Sequence, residues 1–185
     1  MKKIVIFASG NGSNFQNIVK QLHKQHCEVA LLVCNNPRAY CLERALKLKI
    51  ATFVADPKDY PSKAAYELAL IGQVTLVQPE LIVLAGYMRI IGPTLLEQYE
   101  GKIINIHPSL LPSFPGRDGI RDAFTYGVKV MGVTVHYVDA GIDTGKIIDQ
   151  ASFKCEHGLT IEQIEGKIHA LEHQLYPKVI KDLLA

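Results

Sequence analysis

Short apolar runs alternate with amphipathic stretches along the first part of the chain. The runs at Lys3–Ala8, Val29–Cys34 and Ile50–Val54 are rich in β-branched residues, which predicts strands. Between them, apolar residues recur every three or four positions from Phe15 to Leu22 and from Ala39 to Leu48, which predicts helices. Strands that alternate with helices in this way pack as a parallel sheet with right-handed crossovers.

The same alternation continues beyond a break at Asp56-Pro57. A helix is predicted from about Lys63 to Val77, with Ser62 as its N-cap. It leads to Leu81–Ala85, an apolar run without polar alternation, which is typical of a strand buried on both faces. Further helices are predicted at Pro93–Tyr99 and Ile120–Tyr126, and further strands at Ile103–Ile106, Val130–Val138 and Lys146–Phe153.

The end of the chain predicts one long amphipathic helix. Thr160 and Gln163 form a capping box at its start, and apolar residues repeat at helical spacing from Ile161 to Val179. Pro177 is expected to kink or interrupt this helix, because it removes a backbone donor. With 185 residues and 48% hydrophobic content, the chain fits a single α/β domain over residues 1–185. We expect a Rossmann-like, mostly parallel twisted sheet flanked by helices on both faces.

Charge and cysteine content argue against several classes of partner. The 20 basic and 18 acidic residues are scattered along the chain for a net charge of +2, so no basic stripe points to a nucleic acid or an anionic membrane. No apolar run has the length of a membrane span, and Met1-Lys2-Lys3 leads straight into a strand, so we expect a cytoplasmic protein. The four cysteines lack C-x-x-C spacing, which predicts free buried thiols rather than a metal or redox site.

A glycine-rich turn, Gly10-Asn11-Gly12-Ser13-Asn14, separates the first predicted strand from the first helix. Glycines let the backbone close on a ligand, and free amides at the start of a helix attract anions. The turn is not a dinucleotide fingerprint, because Phe15 stands where a third glycine is required and the second strand ends in Asn35-Asn36 rather than an acid. Both a phosphate site and a plain tight turn are consistent with this pattern.

A second candidate loop, Gly86–Gly92, follows the strongest predicted strand. Apolar side chains are mixed there with one arginine, Arg89. Such a mixture suits a flat, partly aromatic ligand with a polar edge. An ordinary passage from core to surface is the alternative.

The candidate chemistry centres on Asn105, His107 and Asp143. Asn105 and His107 are two apart on a predicted strand, so both side chains leave the same face, and the prolines from Pro108 onward place His107 at the strand's exit. The amide can donate to a developing oxyanion, and the imidazole can exchange a proton near neutrality. Asp143 would favour the charged imidazole if the fold brings the two together. A histidine with a purely structural role is the alternative.

The sequence contains neither an activated nucleophile nor a metal cluster. There is no G-x-S-x-G elbow, and the histidines other than His107 are spread over several elements. Most of them are expected at solvated helix faces or ends. Direct transfer of a group between two bound substrates therefore fits better than covalent catalysis.

The runs from Asn105 to Pro112 (NIHPSLLP) and from Asp139 to Gly145 (DAGIDTG) resemble the formyltransferases that use 10-formyltetrahydrofolate. The Gly10–Asn14 turn and Met88-Arg89-Ile90 are similar to the branch of that family that acts on glycinamide ribonucleotide. The resemblance covers essentially the whole chain. It implies transfer of the formyl group from the folate co-substrate to the glycinamide amine in de novo purine biosynthesis, without a metal, by a monomer or homodimer.

The resemblance also implies roles for individual residues. Asn105 would polarise the formyl oxygen, His107 would donate the proton, and Asp143 would favour the charged imidazole and assist proton movement. Ribonucleotide contacts would come from Asn11, Gly12, Ser13 and Glu172. Folate contacts would come from Lys63, Met88, Arg89, Ile90, Ile91, Asn105 and Asp139. The half of the chain up to about residue 100 would bind the nucleotide and the half from 101 to 185 would bind folate and catalyse, with a cis bond expected at Leu111-Pro112.

Other folate enzymes with the same Asn, His and Asp set are the nearest alternatives. Methionyl-tRNA formyltransferase and formyltetrahydrofolate deformylase each carry an additional domain, so a chain of 185 residues favours the glycinamide substrate. A non-catalytic nucleotide-binding module would account for the glycine-rich turn, but not for Asn105, His107 and Asp143.

Overall fold

Seven strands and six α-helices make up the fold. The computed structural model describes residues 1–185. The strands are β1 (Lys3–Ala8), β2 (Glu28–Cys34), β3 (Thr52–Val54), β4 (Leu81–Leu84), β5 (Ile103–His107), β6 (Val130–Tyr137) and β7 (Ile147–Lys154). The helices are α1 (Ser13–Leu22), α2 (Cys41–Leu48), α3 (Lys63–Val77), α4 (Pro93–Gln98), α5 (Gly119–Tyr126) and α6 (Ile161–Leu184). Ser62 caps α3 as predicted, since its Oγ accepts from the Ala65 amide at 3.1 Å.

All seven strands form one sheet, in the order β3-β2-β1-β4-β5-β6-β7. The first five strands pair in parallel, whereas β6 is antiparallel to both β5 and β7. This confirms the predicted Rossmann-like, mostly parallel α/β sheet. The chain runs outward from β1 to β3 and then returns to the other side of β1 with β4, so the strand order reverses there. Open α/β sheets bind ligands at such a switch point, outside the carboxyl ends of the strands.

Helices cover both faces of the sheet, as predicted. Alternate residues of β1 divide between two hydrophobic cores, with Ile4, Ile6 and Ala8 in the larger and Val5 and Phe7 in the smaller. The helices α1, α2, α5 and α6 pack on the larger core, and α3 and α4 pack on the smaller one. None of these helices has the length and apolar character needed to cross a membrane.

The long C-terminal helix contradicts one prediction. α6 continues without interruption through Pro177, although proline removes the donor that would bond the carbonyl four residues earlier. That carbonyl belongs to His173, and its oxygen instead accepts from Asn17 Nδ2 at 2.8 Å and from Gln21 Nε2 at 3.2 Å, both on α1. Because α1 satisfies the released carbonyl, the helix continues. Of the two outcomes predicted for Pro177, a kink or an interruption, the interruption is wrong.

All four cysteines are free thiols. Cys27, Cys34 and Cys41 are buried as predicted, whereas Cys155 is half-buried. The Cys41 thiol donates to Cys34, with 3.6 Å between the two Sγ atoms, and this hydrogen bond lowers the pKa of Cys34. The two thiols therefore meet between the end of β2 and the first residue of α2.

Gly132 marks a close approach between β6 and β7. A Cβ at this position would collide with the carbonyl oxygen of Ala151 on β7. We expect Gly132→Ala to lower the free energy of unfolding by about 1 to 3 kcal/mol, the cost of overpacking, as measured by urea denaturation. The control is Gly72→Ala inside α3, where no atom lies within 4 Å of the Cβ position, and this change should raise the free energy of unfolding by roughly 0.5 to 1 kcal/mol. A Gly132→Ala protein as stable as the wild type would contradict the close approach.

Candidate active site

Two loops meet at the switch point between β1 and β4. The Ser9 amide donates to the Gly86 carbonyl oxygen at 3.1 Å, and the Met88 amide donates to Ser9 Oγ at 2.8 Å. Ser9 Oγ in turn donates to Asn35 Oδ1 at 2.5 Å, just after β2. The glycine-rich turn after β1 and the Gly86–Gly92 loop after β4 are therefore hydrogen-bonded to each other at the carboxyl edge of the sheet.

A cavity of about 520 Å³ opens at the carboxyl ends of β4 and β5. Its volume is in the range of small-molecule and cofactor sites. Residues with predicted roles that line it are Met88, Arg89, Ile90, Ile91, Asn105, His107, Asp139 and Asp143. Met88 and Ile90 are 68% and 58% exposed, so this wall presents apolar surface to a ligand. The structure thus gathers the three candidate catalytic residues and all the predicted folate residues except Lys63 around one space.

His107, the last residue of β5, is buried and has both ring nitrogens directed at oxygen atoms. Nε2 donates to the Phe114 carbonyl oxygen at 2.8 Å, and Nδ1 lies 3.4 Å from Asp143 Oδ2. A carbonyl oxygen only accepts, so Nε2 carries a hydrogen, and Nδ1 needs a second hydrogen to face a carboxylate favourably. The contact of Nδ1 is the longer of the two, so Nδ1 is the ring nitrogen that is more open to proton exchange.

The proline-rich turn after β5 fixes both members of this pair. It folds back through a cis Leu111-Pro112 bond, as expected, and brings the Phe114 carbonyl to His107. The Gly116 amide then donates to Asp143 Oδ2 at 2.7 Å. The turn therefore supplies one acceptor for the imidazole and one donor for the carboxylate.

His136, on β6, lies directly opposite Asn105 in the pairing of β5 with β6. It is 2% exposed, so it is not one of the solvated histidines. Its Nδ1 donates to the Tyr137 carbonyl oxygen at 2.9 Å, which leaves Nε2 to accept from Asn105 Nδ2 at 3.3 Å. Burial lowers the pKa of His136, although the Tyr137 carbonyl and Asp143 act in the opposite direction. A neutral His136 thus orients the Asn105 amide and leaves its second N–H free.

The loop between β6 and β7 places the carboxylate of Asp139 at the cavity wall. Asp139 Oδ1 accepts from the Thr144 hydroxyl at 2.6 Å and from the Gly141 amide at 3.0 Å. The hydrogen bond from Thr144 is the main reason that the pKa of Asp139 lies below its usual range. A Cβ on Gly145 would collide with the Tyr137 carbonyl oxygen, so the loop closes tightly onto the end of β6.

The predicted ribonucleotide residues lie together, outside the cavity. The Asn11–Ser13 turn leads into α1, and Gly12 has φ 75°, a conformation that favours glycine. Glu172, buried on α6, accepts from Asn14 Nδ2 at 3.1 Å. It also pairs with His169 Nδ1 at 2.9 Å, and this hydrogen bond raises the pKa of His169. The last helix therefore places a carboxylate beside the first turn of α1.

Lys63 begins α3 and does not line the cavity. Its Cε and the Glu67 carboxylate lie against Gly92, where a Cβ would collide with both. Glu67 is 3% exposed, and its Oε2 accepts from the Gly92 amide at 3.0 Å. Lys63 is therefore close to the far end of the Gly86–Gly92 loop without forming part of the cavity wall.

Three side chains that hold this site were not identified from sequence patterns: Ser9, Glu67 and His136. Ser9 and Glu67 fasten the two ends of the Gly86–Gly92 loop, and His136 orients Asn105. The sequence does place His136 on a predicted strand, next to Val135. Its pairing with Asn105 could not be predicted, because that pairing depends on the register between β5 and β6.

The fold and this grouping of an amide, an imidazole and a carboxylate at one cavity suit an enzyme that transfers a group between bound substrates. The chain belongs to the formyl transferase family, whose model matches residues 2–180. It is similar to the phosphoribosylglycinamide formyltransferase of Bacillus subtilis strain 168, at 56% identity over 186 residues that cover 100% of this chain and 95% of that protein. The phosphoribosylglycinamide formyltransferase of Escherichia coli K12 is 37% identical over 179 residues, which cover 96% of this chain and 84% of that protein.

A solved structure supports the same relationship. Glycinamide ribonucleotide transformylase 1 from Geobacillus kaustophilus matches with a TM-score of 0.96 and 52% identity, over 100% of both chains. The predicted fold and the resemblance to folate-dependent formyltransferases are confirmed at the level of the family.

Proposed function

We propose that this protein transfers the formyl group of 10-formyltetrahydrofolate to the amine of glycinamide ribonucleotide, giving formylglycinamide ribonucleotide and tetrahydrofolate. The observation that carries the proposal is the convergence of Asn105, His107 and Asp143 on one cavity, with His107 Nδ1 3.4 Å from Asp143 Oδ2. Similarity over the full chain to proteins named for this reaction supports it.

The reaction joins the amine nitrogen to the formyl carbon and breaks the bond from that carbon to N10 of the folate. Negative charge develops on the formyl oxygen as the amine attacks, and the free N–H of Asn105 donates to it. The amine loses a proton to Asp143, and N10 gains a proton from His107. Transfer of a proton from Asp143 back to His107, which lie 3.4 Å apart, restores both groups without a covalent enzyme intermediate.

The cavity is the folate site in this proposal. Met88, Ile90 and Ile91 would pack against the flat face of the pterin, because they supply apolar surface on one wall. Arg89 and Asp139 would contact its polar edge. Lys63 would contribute a further folate contact from the start of α3.

The ribonucleotide would bind across the turn between β1 and α1. The free amides of Asn11, Gly12 and Ser13 would hold its phosphate, where the helix macrodipole favours an anion. Glu172 would contact the glycinamide portion. The chain would then divide at about residue 100 into a half that binds the nucleotide and a half, 101 to 185, that carries the catalytic residues, with the folate loop at the junction.

We expect product formation only when both glycinamide ribonucleotide and 10-formyltetrahydrofolate are supplied, because no serine or cysteine lines the cavity to carry the formyl group. Mass spectrometry of formylglycinamide ribonucleotide and the absorbance change of the folate measure this. Charged initiator tRNA in place of the ribonucleotide, and folate without any amine, are the comparison reactions. Formylation of the tRNA or hydrolysis of the folate alone would assign the chain to one of the related folate enzymes instead.

A further inference from the structure

Arg44, a side chain of α2, forms hydrogen bonds to the turn that follows β1. Arg44 Nε donates to the Asn11 carbonyl oxygen at 2.7 Å, and Nη2 donates to Asn11 Oδ1 at 2.8 Å. Nη1 donates to Gln16 Oε1 on α1. A single guanidinium therefore holds both the main chain and the side chain of Asn11 and ties them to the helix that follows.

The guanidinium is itself held in one orientation. It lies over the Tyr40 ring, 4.8 Å from the centroid, a distance at which a cation is attracted to the face of an aromatic ring. The start of α2 also supports the turn directly, because the Cys41 amide donates to the Gly10 carbonyl oxygen at 3.0 Å. A Cβ on Gly12 would collide with Cys41. The turn thus rests on α2 through close contacts on both sides of Asn11.

We propose that Arg44 is a positioning residue for the phosphate of the ribonucleotide, acting through Asn11 and the amides that follow it. This inference rests on the proposed function, which places the phosphate on Asn11, Gly12 and Ser13. Three of the five guanidinium donors are used on the turn and on α1. The planar fork, rather than the positive charge alone, therefore sets the shape of the turn, and a lysine cannot reproduce it.

The kinetic test compares Arg44→Ala with Lys47→Ala. Lys47 is the matched control, because its Nζ approaches the same Tyr40 ring at 5.9 Å and its removal takes the same charge from the same helix. We expect Arg44→Ala to raise the KM for glycinamide ribonucleotide by about ten-fold or more, as for the loss of hydrogen bonds from a charged group. The KM for folate and kcat should stay at the wild-type values, and Lys47→Ala should leave all three constants unchanged.

Two further variants separate geometry from charge. Arg44→Lys should show most of the loss seen in Arg44→Ala, and added methylguanidinium should partly restore the KM of Arg44→Ala. A wild-type KM in Arg44→Lys would mean that the charge alone suffices and would overturn the proposal. Equal KM values for Arg44→Ala and Lys47→Ala would overturn it as well.

Amide hydrogen exchange provides a readout that does not depend on the substrate. In the free protein, the Gln16 amide, which donates to the Gly12 carbonyl oxygen at 2.9 Å, should exchange faster in Arg44→Ala, by about ten-fold or more, and at the wild-type rate in Lys47→Ala. Unchanged exchange in Arg44→Ala would rule out the positioning role. If the wild-type protein does not use glycinamide ribonucleotide, the proposed function fails. Faster exchange in Arg44→Ala would then still show that Arg44 orders the turn. The assignment of the turn to a phosphate would fail together with the proposed function.

Discussion

Replacing His107 by alanine is expected to lower kcat for formyl transfer by about 10²-fold to 10⁴-fold, the range typical of a general acid. In the proposed mechanism His107 is the proton donor, because this ring lines the cavity and its Nδ1 lies 3.4 Å from Asp143 Oδ2. Without it, N10 of the folate would have no donor as it leaves. The change in KM should be smaller for both substrates, because neither the Gly86–Gly92 loop nor the Asn11–Ser13 turn depends on this ring. Steady-state kinetics with each substrate varied in turn measures the effect.

The matched control for this variant is His157→Ala, because His157 is exposed and lies outside every strand and helix. His107 is buried and bonded to the Phe114 carbonyl, so circular dichroism and thermal unfolding should confirm that His107→Ala is folded at the assay temperature. A folded His107→Ala protein with kcat within a few-fold of the wild type would exclude the proton-transfer role.

Replacing Asp143 by asparagine should remove the charge and keep the shape of the side chain. The Gly116 amide, 2.7 Å from Oδ2, can still donate to the amide oxygen, so the fold should be retained. We expect kcat to fall by about 10²-fold, because the acceptor for the amine proton is lost. Steady-state kinetics with both substrates supplied measure this fall.

Asp149→Asn is the control variant, since Asp149 forms an exposed ion pair with Lys178 at 2.8 Å and lies outside the cavity lining. This control should keep the wild-type kcat. A folded Asp143→Asn protein with a kcat close to that of the wild type would contradict the role of Asp143 as the proton acceptor.

Hydrophobic patterns were sufficient for the order and type of the elements. Apolar runs without alternation, such as Leu81–Ala85, are typical of central strands, and the periodic stretches between them are typical of helices that cover the sheet. The boundaries were less accurate, since β3 begins at Thr52 rather than Ile50 and α2 begins at Cys41 rather than Ala39. The continuity of α6 was missed because helix propensity considers only the residues of the helix itself. The donors to the His173 carbonyl, which Pro177 leaves without a partner in α6, lie on α1.

The candidate residues were found from sequence, but their contacts were not. The distance between His107 and Asp143 depends on how the chain returns from β5 through α5 to β6, and no local pattern encodes that path. The pairing of Asn105 with His136 likewise depends on strand register. Local motifs indicated the candidate groups. The tertiary fold alone brings in Ser9 and Glu67, which bond to the Gly86–Gly92 loop, and Arg44, which bonds to Asn11.

Pro177 removes one hydrogen bond within α6, and the carbonyl oxygen that this leaves without a donor connects α6 to α1. The His173 carbonyl has no donor within α6, so it accepts hydrogen bonds from Asn17 and Gln21. Asn17 and His173 are 156 residues apart in the chain. Glu172 precedes that carbonyl, and it meets Asn14 one turn earlier on α1. These contacts fix how the first and last helices of the chain align. Pro177, which weakens a helix in isolation, therefore helps here to keep the Glu172 carboxylate beside the first turn of α1.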